Sequence, residues 1–246
     1  MPSRLDIPRV LRVIMYAHKA KRGLNMGKTT ARRHLAARCA LLLAGLAVMA
    51  LGVALSIKAE LGTSPISSLP FVTAEIFDLS VGTTTIILNS LFVLAQILLL
   101  RRSFDWYQLL QIPVAVAFGL LIDLFGLVLA PLEAGNYVLQ WLLCAGGIVF
   151  VAMGVSIEVT AQLVPTAGEG LVLAVCQVTP FKFGNMKVAL DVTLVLLSVL
   201  LGLLVLGRLE GVREGTVAAA LLVGTLTKLF RKPLAGLEKK LAPELD

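Results

Sequence analysis

An apolar run of about 20 residues ends at Ala59, and the stretch after it sets the terms for the whole chain. That stretch, Glu60-Leu-Gly-Thr-Ser-Pro-Ile-Ser-Ser-Leu-Pro70, carries two prolines, a glycine and four hydroxyls. Backbone of this kind is not laid against lipid, because each unpaired N–H or C=O there costs several kcal/mol. It must sit in water, inside protein or along a water-filled cavity. A degenerate second copy stands 102 positions later, at Gln162-Leu-Val-Pro-Thr-Ala-Gly-Glu-Gly-Leu171. One break reads as a loop; a matched pair reads as a site.

The surrounding chain has the composition of a bilayer protein. Of its 246 residues 58% are hydrophobic and 15% charged, and the mean hydropathy is +0.91. Soluble domains carry about a quarter charged residues, so a polytopic membrane protein is expected. The net charge of +7 is concentrated before the first span, where Arg4, Arg9, Arg12, Lys19, Lys21, Arg22, Lys28, Arg32, Arg33 and Arg38 face a single acid, Asp6. Lysine and arginine beside a first span hold that end in the cytoplasm and attract anionic lipid. Nucleic acid is therefore not expected as a partner. The leader has no small-residue cleavage pattern after the apolar run; it is expected to be disordered or to lie on the membrane, and Met15 and Met26 are alternative starts. Cys39, Cys144 and Cys176 lie in or beside apolar runs, and both histidines, His18 and His34, lie in the leader. Neither a metal nor a haem site is expected from them, no cofactor is implied, and no enzyme constellation is present.

Six spans are expected, at about Leu41–Ala59, Thr83–Leu100, from after Trp106-Tyr107 to Ala130, Tyr137–Ala161, Lys187–Leu206 and Thr216–Phe230. Two pieces too short to cross, Phe71–Phe77 and Leu171–Val178, come after the two breaks as re-entrant half-helices. The chain divides into a basic leader (1–38), a first repeat (39–134), a second repeat (135–233) and a short tail (234–246). The shift of 102 pairs Gly52 with Gly154, Val53 with Val155, Ala59 with Ala161, Glu60 with Gln162, Leu61 with Leu163, Glu75 with Gln177, Gly82 with Gly184 and Asn89 with Asp191. Three further residues bring Gly119 onto Gly224 and Leu124-Phe125 onto Leu229-Phe230. With three spans per repeat the halves point opposite ways. Arg101-Arg102, Lys182, Lys187 and the basic tail then fall on the leader's side, while 131–136 falls outside without a lysine or arginine. Only Arg208 and Arg213 break the pattern. Inverted repeats with broken helices recur in secondary transporters, whose site lies near the midplane.

The residues expected to line that site come mostly from the breaks. Thr63, Ser64, Ser67 and Thr166 suit half-helix N-termini, which favour anions or dipolar oxygens. Pro65 opens the first half-helix, and Gly62, Gly168 and Gly170 let backbone approach a solute. Ionisable groups inside spans are costly and so are candidates themselves. Asp191 is the sharpest, with Asn89 as its polar counterpart and Glu169 as a second titrating group. The competing account of Asp191 is an acid near a helix start that pairs with Lys187. Interfacial roles are expected for Lys58, Glu60 and Glu158, and snorkelling for Asp123 and Lys228.

The motif Leu61-Gly62-Thr63-Ser64-Pro65 after a first span, the glycine-punctuated second span and the duplication resemble the YczE/YyaS/YitT-type bacterial membrane proteins, over about Ala40 to Pro233. The second break departs from that motif, reading Val164-Pro165-Thr166-Ala167. The resemblance implies a multi-pass protein of the bacterial cytoplasmic (inner) membrane and names no substrate. The expected function is movement of a small polar solute by alternating access, with coupling to protons through Asp191 or Glu169. Both termini are then cytoplasmic, the partners are the bilayer and the solute, and a homo-oligomer is compatible. The alternative is an accessory or regulatory membrane protein whose polar breaks bind a partner or lipid.

Overall fold

The structure, a computed structural model, describes residues 28–241, with side chains from 35 to 237. The leader before Lys28, the two histidines' side chains and the end of the tail lie outside the described residues. The described residues form eight α-helices: α1 (Lys28–Lys58), α2 (Pro65–Phe77), α3 (Val81–Leu100), α4 (Gln111–Val128), α5 (Tyr137–Ala161), α6 (Ala167–Val178), α7 (Phe183–Leu201) and α8 (Glu214–Leu241). Two short 3₁₀ turns lead into α4, and a π-helical turn, Gly202–Leu206, extends α7. Among the described residues five segments are long and apolar enough to cross a membrane: Leu35–Lys58, Val81–Ser103, Trp106–Val128, Tyr137–Ala161 and Phe183–Leu206. The expected sixth, Thr216–Phe230, forms part of α8, where Lys228, Arg231 and Lys232 cut the apolar stretch short.

Local chemistry sets the helix ends. Pro65 opens α2, since the first turn has no use for its missing N–H. Ser80 caps α3 by accepting from the Thr83 N–H, and Asn136 caps α5 through Leu139. Helices α1 and α5 stop alike: Glu60 and Gln162 take left-handed φ values of 56° and 48°. Non-glycine residues adopt this conformation at a cost of roughly 1–2 kcal/mol, so the surroundings must hold both corners in place.

What holds them is the crossing of α1 and α5. A Cβ on Gly52 would stand 2.5 Å from the Val151 nitrogen and 2.8 Å from the Gly147 oxygen, and one on Gly154 would stand 2.5 Å from the Met49 nitrogen and 2.7 Å from the Gly45 oxygen. The two backbones touch, as small residues allow inside membranes. Partners later in α1 lie earlier in α5, so the two helices are antiparallel. The contacts also come in counterpart pairs at the 102-residue offset: Gly45 meets Gly154 as Gly52 meets Gly147, and Gly45 meets Glu158 as Ser56 meets Gly147. The helix ends behave the same way. Gln140 reaches Glu60 at 3.5 Å, and Arg38 reaches Gln162 at 3.4 Å.

The remaining helices form two groups. Helix α4 lies on α1 and α8 on α5, making a four-helix scaffold, and the second group pairs α2 with α7 and α3 with α6. Helices α5 and α8 run parallel, from Cys144 beside Gly215 to Ser156 donating to the Thr227 carbonyl at 3.1 Å. Leucines cover the outside, as on Leu204, which is 74% exposed.

Adjacent glycines offer a direct test of this packing. A Cβ on Gly147 would meet the Gly52 oxygen at 2.8 Å and the Ser56 nitrogen at 3.0 Å, whereas one on Gly146 meets nothing within 4 Å. Gly147→Ala should lower unfolding stability in detergent by about 1–3 kcal/mol. Gly146→Ala should leave it unchanged or raise it by up to about 1 kcal/mol.

Candidate functional site

The two short helices meet close to their N-terminal ends. A Cβ on Gly168 would stand 2.6 Å from Ile66 Cδ1, and these residues are counterparts at the 102-residue offset. Both breaks therefore converge on one place, but they are filled differently.

The first break is occupied by the chain itself. The Thr63 N–H donates to the Gly211 carbonyl at 3.0 Å, and Gly215 N–H donates to the Leu61 carbonyl at 2.8 Å. Gly62, at φ 87°, lies so close to the 211–216 segment, which leads into α8, that a Cβ would meet Arg213 N at 2.5 Å. Ser64 holds the N-cap position of α2, yet its hydroxyl bonds Ser67 Oγ at 3.0 Å instead of capping. Thr63, Ser64, Pro65 and Ser67 are all buried. In this conformation their polar groups satisfy one another and the loop, as buried groups must.

The second break rests on a buried amide pair. Gln96 is 0% and Gln111 1% exposed, and Gln96 Nε2 donates to Gln111 Oε1 at 2.8 Å and to the Ala167 carbonyl at 3.1 Å. Gly170 leaves no space for a Cβ, which would stand 2.6 Å from Gln111 Nε2. Thr166 is the N-cap of α6 but makes no side-chain capping bond.

Around this N-terminus sits a cluster of ionisable groups from four helices. Glu158 of α5, 5% exposed, lies beside Glu169 of α6 and within reach of the Thr166 N–H. Glu169 in turn lies within electrostatic range of Lys187 and Asp191 of α7 and of Arg231 of α8. Lys187 and Asp191 form an ion pair one turn apart, half-buried, so the pairing weighed against Asp191 in the sequence is present. It is part of the cluster as well. Three carboxyls, Glu158, Glu169 and Asp191, share this region with two cations, Lys187 and Arg231.

Asn89 is not drawn in; its Nδ2 donates to the Thr85 carbonyl at 2.8 Å within α3. Sequence reasoning placed Glu158 at the interface, and the structure corrects this. Its helical register was the available signal, because Glu158 shares a face with Gly154, Val151 and Gly147. Arg231, Gln96 and Gln111 were also missed. Asp123 does not snorkel: it accepts from Ser80 Oγ at 2.7 Å and from the Gly82 N–H at 2.8 Å.

The two halves differ in chemistry at positions 102 residues apart. Glu158, Glu169, Lys187 and Asp191 stand where the first half has Ser56, Ser67, Thr85 and Asn89. At these four positions the first half is uncharged and the second is ionisable.

The family model that matches residues 36–232 is described as a family of unknown function, DUF6198. The chain belongs to that family. It is 25% identical over 198 residues to the "Uncharacterized membrane protein YczE" of Bacillus subtilis (strain 168), covering 80% of this chain and 86% of that protein. It is 27% identical over 132 residues to the "Uncharacterized protein YyaS" of the same organism, covering 53% of this chain and 64% of the relative. No solved structure matches this DUF6198 chain. With the five apolar helices, these likenesses identify a helical membrane protein of the YczE/YyaS-like kind.

The amide pair should behave as a unit. Gln96→Leu strands Gln111 and should cost about 1–3 kcal/mol of stability. Replacing both glutamines by methionine should recover part of that loss, which a double-mutant cycle read by thermal unfolding will measure.

Proposed function

We propose that this protein is a secondary transporter that moves a small polar solute by alternating access, with a proton or the solute's own cationic group balancing the Glu158–Glu169–Asp191 cluster. The observation that carries the reading is the placement of that cluster at the point where the two half-helices meet. Ionisable groups held inside a bilayer protein are expensive and mark solute or proton paths. The cluster holds more carboxyls than cations, and those carboxyls are groups that a proton or a cationic solute can bind.

The architecture proposed with it has six spans and two re-entrant half-helices in an inverted repeat. Counterpart contacts across the antiparallel α1–α5 pair support a two-fold axis between the halves. Helix α8 runs along α5 for 12 residues, from Cys144 and Gly215 to Ser156 and Thr227. That is about 18 Å of helix, which supports counting α8 as a sixth span. Helices α2 and α6, of 13 and 12 residues, are too short to cross.

The charge distribution favours one orientation. In the proposed topology Arg38, Arg101, Arg102, Lys182 and Lys232 fall on one side, which is assigned to the cytoplasm of the inner membrane, with both termini. The exposed leucines take the bilayer as partner. No enzyme activity, cofactor or nucleic acid enters the proposal.

The test is solute-dependent proton movement in proteoliposomes carrying an internal pH dye, screened over small cationic, zwitterionic and neutral polar solutes. At least one class should drive proton flux. Glu169→Gln should lower that flux by tenfold or more while the protein stays folded, as expected when a group supplies roughly 1.4 kcal/mol or more to the coupled step. Proton movement absent for every class, with a membrane partner co-purifying, would instead favour an accessory role.

A further inference from the structure

The two halves are built alike but are not closed alike. In the first half α3 and α4 touch through Gly82 and Gly119, both buried; a Cβ on Gly119 would stand 2.5 Å from the Gly82 oxygen. In the second half the counterparts Gly184 and Gly224 are exposed, and neither has an atom within 4 Å of its Cβ position. The first contact is also fastened. Asp123 accepts from Ser80 Oγ at 2.7 Å and from the Gly82 N–H at 2.8 Å, tying the end of α4 to the start of α3. A carboxylate on the first N–H groups of a helix also meets the positive end of the helix dipole. The counterparts of Ser80 and Asp123 are Lys182 and Lys228. Lys182 gives α7 no side-chain cap, and two ammonium groups repel where a hydroxyl and a carboxylate bind.

From this we infer that Asp123 is the latch of a gate between α3 and α4, and that the conformation seen is closed at the Ser80 end and open between α7 and α8. The other state exchanges the two arrangements. The α2–α3–α6–α7 group tilts on the scaffold, α7 closes on α8 through Gly184 and Gly224, and the Asp123 bonds break. Because only one end carries a latch, the closed-at-Ser80 state is favoured at rest. A lysine pair at the far end makes the opposite closure the costlier one. This inference rests on the transport reading, whose alternating access it makes specific.

Disulfide trapping tests it. Cys39, Cys144 and Cys176 are replaced by alanine, and Gly184→Cys and Gly224→Cys are introduced together; both positions have room for a Cβ. Two sulfurs there cannot bond until the helices approach, because a disulfide needs Cβ atoms about 4 Å apart. Oxidation should be slow with Asp123 present. Asp123→Ala should speed it by roughly tenfold or more, since bonds to a charged carboxylate bias such an equilibrium by that much. Lys228→Asp, at an exposed position, should also speed it by building the missing latch. Equal oxidation rates in the parent, Asp123→Ala and Lys228→Asp would overturn the latch. A faster rate with no effect of the trapped disulfide on any solute flux would uphold the latch and remove the transport reading instead.

Discussion

Everything in this fold hangs on the contact between α1 and α5. The hydrophobic effect does little to bring helices together in lipid, so association depends on close packing and hydrogen bonds. Gly45, Gly52, Gly147 and Gly154 let the two backbones touch, and the contact leaves no room for a methyl group at Gly52, Gly147 or Gly154. Because the crossing is antiparallel and its contacts repeat at the 102-residue offset, one interface places both halves of the chain. It carries α4 on one side and α8 on the other, and it directs the two breaks toward each other.

The polar breaks take their meaning from that placement. A break in a membrane helix leaves N–H and C=O groups that must be satisfied by protein or by water. The first break is satisfied by the 211–216 loop. The second is supported by Gln96 and Gln111 and surrounded by Glu158, Glu169, Lys187, Asp191 and Arg231. At positions 102 residues apart, one half carries Ser56, Ser67, Thr85 and Asn89 and the other Glu158, Glu169, Lys187 and Asp191.

Much of this could be read in the sequence. Apolar runs and prolines located the helices because the bilayer permits little else, and the sequence pairing of Gly52 with Gly154 pointed to two glycines that both pack at the α1–α5 crossing. The ends of elements were less legible: α2 starts at Pro65 and contains Pro70 within its helix, so the break is shorter than its composition implied. The site was read only in part. Glu169 and Asp191 stood out as acids among apolar residues, but Glu158 sits near a helix end, where position along the chain says interface and rotation about the helix axis says core. Only the α1–α5 crossing decides between these. Arg231 and the glutamine pair are brought to the site by α8, α3 and α4, and no local pattern announces such long-range packing.

The central claim is that the halves face opposite ways across the membrane, and its most direct measurement uses two counterpart turns. Leu79 lies just after α2 and Phe181 just after α6; both are exposed. In a background without native cysteines, Leu79→Cys and Phe181→Cys are labelled singly with a membrane-impermeant thiol reagent in intact cells and in inverted vesicles. Leu79→Cys should react only from outside and Phe181→Cys only from inside. Labelling of both from the same side would contradict the inverted arrangement, and with it the meeting of the two half-helices from opposite faces.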